Sequence, residues 1–288
     1  MNSPVVVGID VASARPCTCV VLEDGAVQEW LDTRDLDQIA SWVLYHQPVA
    51  VAVDAPSGLS RGLLLEPGSG EKPCHGRKCD HELRERGIPL YEVPREGTRA
   101  DDWMEVGFQI YDRLRDLGYQ LPQEAGVSRS VVEVYPEASF ITLLGGTPAK
   151  KWGAVGRAQR LAVLKRSGLS WRDRFDQDAL DALVAALTAM RFLEGQASAV
   201  GDAEEALVWL PVERLQESYS NLLARVPRPK RAELDHLHSR LSPEKRDELL
   251  QYLLVAARRG GDAMIEVLER TLLGHVTEAV SEEHGGPA

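Results

Sequence analysis

Apolar positions along this chain fall into short β-branched runs separated by stretches of helical period. Val5 to Asp10 (VVVGID) is apolar up to its closing acid, which predicts a buried strand. Cys17 to Glu23 (CTCVVLE), then Asp24-Gly25, then Ala26 to Trp30 (AVQEW) predicts a hairpin, because Asp-Gly supplies the left-handed turn that a tight β-connection needs. Residues 34 to 46 place Leu36, Ile39, Val43 and Leu44 on one helical face. Val49 to Asp54 (VAVAVD) is a second buried strand ending in an acid, and Pro56-Ser57-Gly58 stops it. The Gly-, Pro- and Glu-rich stretch from Gly58 to Pro73 reads as a loop. Helices are expected over 80–87, 101–117, 156–167 and 176–194, with a strand over 130–135 broken by Pro136. Ala206 to Leu210 (ALVWL) is expected as an edge strand closed by Pro211.

A hairpin first and crossovers afterwards argue for an α/β fold, a mixed sheet flanked by helices, over residues 1–212. The texture changes after Pro211. Residues 213–288 hold no strand pattern and several capped helices, such as the one opened by Ser242-Pro243. They are expected to form a small all-helical C-terminal module, suited to contact a protein partner.

Composition and charge narrow the classes. At 288 residues and 44% hydrophobic the chain can bury one sizeable core and a smaller unit. No apolar run approaches the roughly 20 residues that cross a bilayer, and the start lacks a basic leader, so a cytoplasmic protein is expected. Cys17 and Cys19 alternate along a strand and read as packed thiols. The net charge of -11 excludes nucleic-acid binding by blanket electrostatics, so any such contact must be local or assisted by metal ions. The main basic concentration is Lys150, Lys151, Arg157, Arg160, Lys165 and Arg166. Lys150, Lys151 and Arg157 are the candidate phosphate contacts, weighed against an ordinary solvated helix face.

Asp10 and Asp54 close strands, and Asp178 and Asp181 share one face near the start of a helix. Sheet ligands gather beyond the carboxyl ends of strands. Crowded carboxylates with no Arg or Lys at helical spacing call for a divalent cation, and oxygen donors of this type suit Mg²⁺ or Mn²⁺. Each acid alone could equally be a cap or turn former. Cys74, His75, Cys79 and His81 are too cramped for a regular zinc site, and the expectation is a packed Cys79 and an exposed His75. Ser57 sits outside any nucleophile elbow and reads as a turn or phosphate-contacting hydroxyl.

GIDVAS (8–13), VAVDAPSGL (51–59), CDHELRERGIP (79–89), EVYPEASF (133–140) and DQDALDALVAALTA (176–189) together resemble the family called domain of unknown function 429, described as predicted nucleases with a ribonuclease-H-like fold. The last segment also resembles the final active-site helix of RuvC-type resolvases. The resemblance implies a metal-dependent nuclease acting on DNA or RNA. Asp10 would be the first-strand acid that bridges two metals, Asp54 the fourth-strand acid, and Asp181 with Asp178 the helix acids. RuvC-type enzymes carry a Glu where Asp54 stands, so Asp54 reaches one methylene less far. Glu133 is a further candidate ligand. The competing expectations are a catalytically inactive binding or assembly module of the same fold and, more remotely, an actin-like phosphotransferase, for which no second glycine-rich phosphate loop is found.

Overall fold

The computed structural model describes residues 3–65, 75–172, 174, 176–219 and 242. The chain divides into two compact units, Met1–Leu143 with Ser167–Tyr219, and Leu144–Arg166 with Ser220–Ala288. The expected helical module at 213–288 lies outside the described residues except for 213–219 and Ser242. Residues 213–219 belong to the first unit. Tyr219 is buried, and its N–H donates to the Arg86 carbonyl at 2.7 Å, so that unit ends seven residues beyond the expected Val212.

The first unit is a seven-stranded mixed sheet in the order β3-β2-β1-β4-β5-β7-β6. Its strands are β1 (Val5–Asp10), β2 (Cys17–Glu23), β3 (Ala26–Thr33), β4 (Ala50–Asp54), β5 (Ser130–Val134), β6 (Ser198–Asp202) and β7 (Ala206–Leu210). The hairpins β1-β2-β3 and β6-β7 are antiparallel, whereas β1-β4-β5-β7 run parallel. Its helices are α1 (Leu36–His46), α2 (Lys78–Glu85), α3 (Asp102–Asp116), α4 (Pro136–Leu144, whose last residue falls in the second unit) and α6 (Gln177–Leu193), while α5 (Ala154–Arg166) belongs to the second unit. The α/β mixed sheet is therefore as expected. Two details differ. Ala206–Leu210 is an inner strand, because β6 pairs outside it and forms the true edge. The SAVGD run of β6 has a single β-branched residue and a glycine, too weak a local signal to read as a strand. It is held by its partner instead.

Strand alternation sorts the side chains. Val7, Ile9, Cys17, Cys19, Val51 and Val53 pack with Ile39 and Val43 of α1 and Ile110 and Leu114 of α3 on one face. The other face of β1, β2 and β4 is covered by α6, buried along most of its length. The Ala-rich surface of α6 approaches the sheet closely at Gly8. A Cβ built there would stand 2.2 Å from the Ala182 carbonyl oxygen and 2.4 Å from the Ala186 nitrogen. Backbone atoms cannot rotate away, so Gly8→Ala must move the helix off the strand. The expected result is a loss of about 3 kcal/mol in chemical denaturation. An unchanged midpoint would show that the contact is looser than this geometry.

Candidate functional site

β1 and β4 pair in parallel register with Asp10 opposite Asp54. Paired residues on neighbouring strands point to the same face, about 4.8 Å apart. That face is the one α6 crosses, and the tight contact at Gly8 sets the height of the helix. Its first turns consequently stand over the strand ends. The N-terminus is fixed by Asp176, whose carboxylate accepts from the Ala179 N–H at 2.9 Å. Asp178 is half-buried in the next turn, and Asp181 is buried, accepting from Gln177 Nε2 at 2.8 Å. The structure thus brings Asp10, Asp54, Asp178 and Asp181 to one edge, on the α6 side of the sheet.

Asp10 is 3% exposed, and its pKa is pushed up from 3.8 to about 7. Burial is the main cause, the charge of Asp181 the next; nearby Arg15 pulls the other way and Asp178 adds to the rise. Arg15 is a residue that sequence reasoning missed, since it comes from the turn between β1 and β2 rather than from helical spacing. Its NH2 lies 2.9 Å from Asp10 Oδ2 and 3.1 Å from Asp178 Oδ1. The first contact is a charge pair rather than an aligned hydrogen bond, so Asp10 Oδ2 is buried without a hydrogen-bonded partner among the described residues.

Glu133 does not join this group. It registers with Val53 rather than Asp54, so its side chain points to the opposite face. There it is 3% exposed and bound by Arg77, whose NH2 reaches Oε1 at 2.6 Å and whose NH1 reaches Oε2 at 3.0 Å. The Ser57 N–H also donates to Oε2 at 2.7 Å, while Arg77 NH2 lies 3.2 Å from Asp80. Both oxygens of Glu133 are thus already bonded on the far face from Asp10, and Ser57 contributes its backbone to this network.

Arg77, Asp80 and Glu133 line a pocket of about 50 Å³ beyond the ends of β4 and β5. Asp54, Pro56, Tyr91, Trp103 and Tyr135 also line it. Asp54 therefore stands between the acid cluster and this pocket.

Lys150, Lys151 and Arg157 belong to the second unit. Lys150 and Arg157 are exposed, and Lys151 Nζ stands 5.1 Å from the Trp152 ring. Cys79 is buried and His75 exposed, as expected; Cys74 lies outside the described residues. Burial pushes the Cys79 thiol well up, and it donates to Asp80 Oδ1 at 3.5 Å, which disfavours the thiolate that zinc requires. Among the described residues no helix is long and apolar enough to cross a membrane.

Among the described residues, no three His, Cys, Asp or Glu side chains are already grouped closely enough to hold a metal ion. Asp10 and Asp178 converge instead on Arg15. The donor set still fits a hard divalent ion. It consists of carboxylates, one of its oxygens is buried without a hydrogen bond, and the half-exposed Arg15 can turn outward to admit a cation.

The family model described as "Protein of unknown function (DUF429)" matches residues 8–206, a span that runs from the middle of β1 to the first residue of β7. No curated protein matches the chain.

Proposed function

The chain belongs to the DUF429 family, and from that premise we propose that it is a Mg²⁺- or Mn²⁺-dependent nuclease that hydrolyses phosphodiester bonds of DNA or RNA on a ribonuclease-H-like domain. The observation that carries this reading is the burial of Asp10 beside Asp181 and Asp178, which raises its pKa to about 7. Such a cluster carries more negative charge than one arginine offsets, which supports a cation there.

In this reading Asp10 and Asp181 hold the ion, with Asp54 and Asp178 completing its surroundings. A divalent cation there would lower the pKa of an attacking water and offset charge on the leaving oxygen of an in-line displacement. The chain's own groups do the rest. Asp10 and Asp54 are held by paired strands and Asp181 by a helix packed backbone to backbone at Gly8, so the acids keep their geometry without reorganisation. Arg15, displaced from Asp10 and Asp178, is left on the exposed rim, where its guanidinium can meet a non-bridging phosphate oxygen. Separately, Lys150, Lys151 and Arg157 are proposed as phosphate contacts of the second unit by itself.

The test is a digestion screen with Mn²⁺ and with Mg²⁺ over single- and double-stranded DNA and RNA. Metal-dependent cleavage that EDTA stops supports the nuclease. A second reading, an inactive binding or assembly module, is favoured by one observation: Arg15 already bridges Asp10 and Asp178 where the cation would sit. Nucleic-acid or protein binding with no cleavage under any of these conditions would select it.

A further inference from the structure

The pocket beyond β4 and β5 is separate from the acid cluster in its chemistry, yet it shares Asp54 with it. Its walls are mainly apolar: Leu83, Leu90, Val93, Trp103, Tyr135 and Val208. At about 50 Å³ it exceeds the roughly 10–15 Å³ that a single water needs and has room for the edge of a ring. Tyr91 stands on its rim with 77% of its surface exposed, although an aromatic ring is costly to leave in water. Arg77 forms part of its floor at 3% exposure, and its Nε has no hydrogen-bond partner among the described residues.

These features select the ligand's chemistry. Asp54, Asp80 and Glu133 outnumber Arg77, so an anionic group such as phosphate is repelled. Arg77, Glu133 and Asp80 already satisfy one another, so what the pocket offers a ligand is mainly its apolar wall and the exposed ring of Tyr91. A planar neutral heterocycle carries ring acceptors and N–H donors on its edge and two apolar faces for aromatic side chains.

We infer that this pocket takes one edge of the nucleobase of a nucleotide whose phosphodiester is presented to Asp10 and Asp181, with Tyr91 stacking on the part that stays outside. The inference rests on the nuclease reading for the direction of the bound strand. Asp54 marks the junction: it pairs in register with Asp10 on one side and lines the pocket on the other. The proposed enzyme would thus grip the nucleotide next to the bond it cuts by its base. Such a grip predicts a preference for unpaired strands, because a paired base is not free to enter.

The test reads binding alone, with EDTA present, so that it does not depend on hydrolysis. AMP, GMP, CMP, UMP and ribose 5-phosphate are each titrated calorimetrically into the full-length protein. The expected result is saturable binding of at least one nucleotide in the millimolar range or tighter, and none of ribose 5-phosphate. Tyr91→Ala should weaken that binding about tenfold, the loss of one stacked base, whereas Tyr91→Phe should keep it. Because Tyr91 is exposed, neither variant threatens the fold. Equal binding by Tyr91→Ala and the parent, equal binding of ribose 5-phosphate, or no binding of any nucleotide would each overturn the base pocket. Metal-dependent cleavage observed alongside such a failure would leave the nuclease standing. Nucleotide binding without cleavage would leave the pocket standing and overturn the nuclease.

Discussion

Asp10→Asn is expected to abolish metal-dependent hydrolysis and, at the same time, to stabilise the metal-free protein at pH 8. The amide keeps the size of the carboxylate but removes the charge that burial and Asp181 disfavour. The pH dependence follows from the raised pKa. Below the unfolded value near 3.8, Asp10 is protonated in both states and costs nothing. Between 3.8 and about 7 the unfolded chain gives up its proton while the native state retains it, so native stability falls as pH rises. Above about 7 the penalty is complete and constant. The shift corresponds to about 4 kcal/mol at most. Urea unfolding of parent and variant from pH 5 to 8 should therefore show a gap in favour of Asp10→Asn that widens with pH and levels off above 7. Millimolar Mn²⁺ should then raise the parent's melting temperature by preferential binding to the native state, and should do so much less for Asp10→Asn or Asp181→Asn. A parent indifferent to Mn²⁺ would remove the metal site and leave the binding module.

The second large effect is structural. Arg77→Met should destabilise the first unit by roughly 3–5 kcal/mol, because it strands Glu133 and Asp80 in the interior without their cation. The methionine fills much of the same volume, so the loss reports charge rather than a cavity. The double variant Arg77→Met with Glu133→Leu should recover part of the stability, since replacing a buried pair by apolar groups avoids the desolvation that the pair itself incurs. If the single variant unfolds at the parent's denaturant midpoint, the pair is better hydrated than its 3% exposure indicates. Either outcome can be read without a substrate.

The two residues that sequence reasoning missed, Arg15 and Arg77, explain what is legible in a sequence of this kind. Both neutralise acids, and both do so from loops. Arg15 lies in the turn that follows β1, and Arg77 sits at the N-terminal boundary of α2, 56 positions from Glu133. A helical pair at three or four residues can be counted along the chain. A loop guanidinium reaching an acid on another element cannot, because its reach is decided by how the chain returns.

Glu133 makes the same point from the opposite side. Its place in a strand near the other acids made it a reasonable ligand. Pairing with Val53 instead of Asp54 turned it to the far face, and a shift of one residue would have turned it back. The nearly featureless β6 became the sheet edge for a similar reason, since pairing with β7 supplied what its own residues lack.

Sequence alone determines, for this protein, the existence and type of the long elements, the α/β class, and the acids at the ends of VVVGID and VAVAVD and at the start of the last helix of the sheet unit. Those features are written locally, in β-branched runs, in Asp-Gly, and in the 3.6-residue period, and local signals survive in one dimension. Only the tertiary structure decided that Asp10 and Asp54 are in register, that Arg15 closes on Asp10 and Asp178, that Glu133 belongs to Arg77, and that Tyr91 overhangs a pocket. Each of these depends on strand register, loop path or helix height. All three are set by packing between segments far apart in the chain, and the packing exists only once the chain has folded.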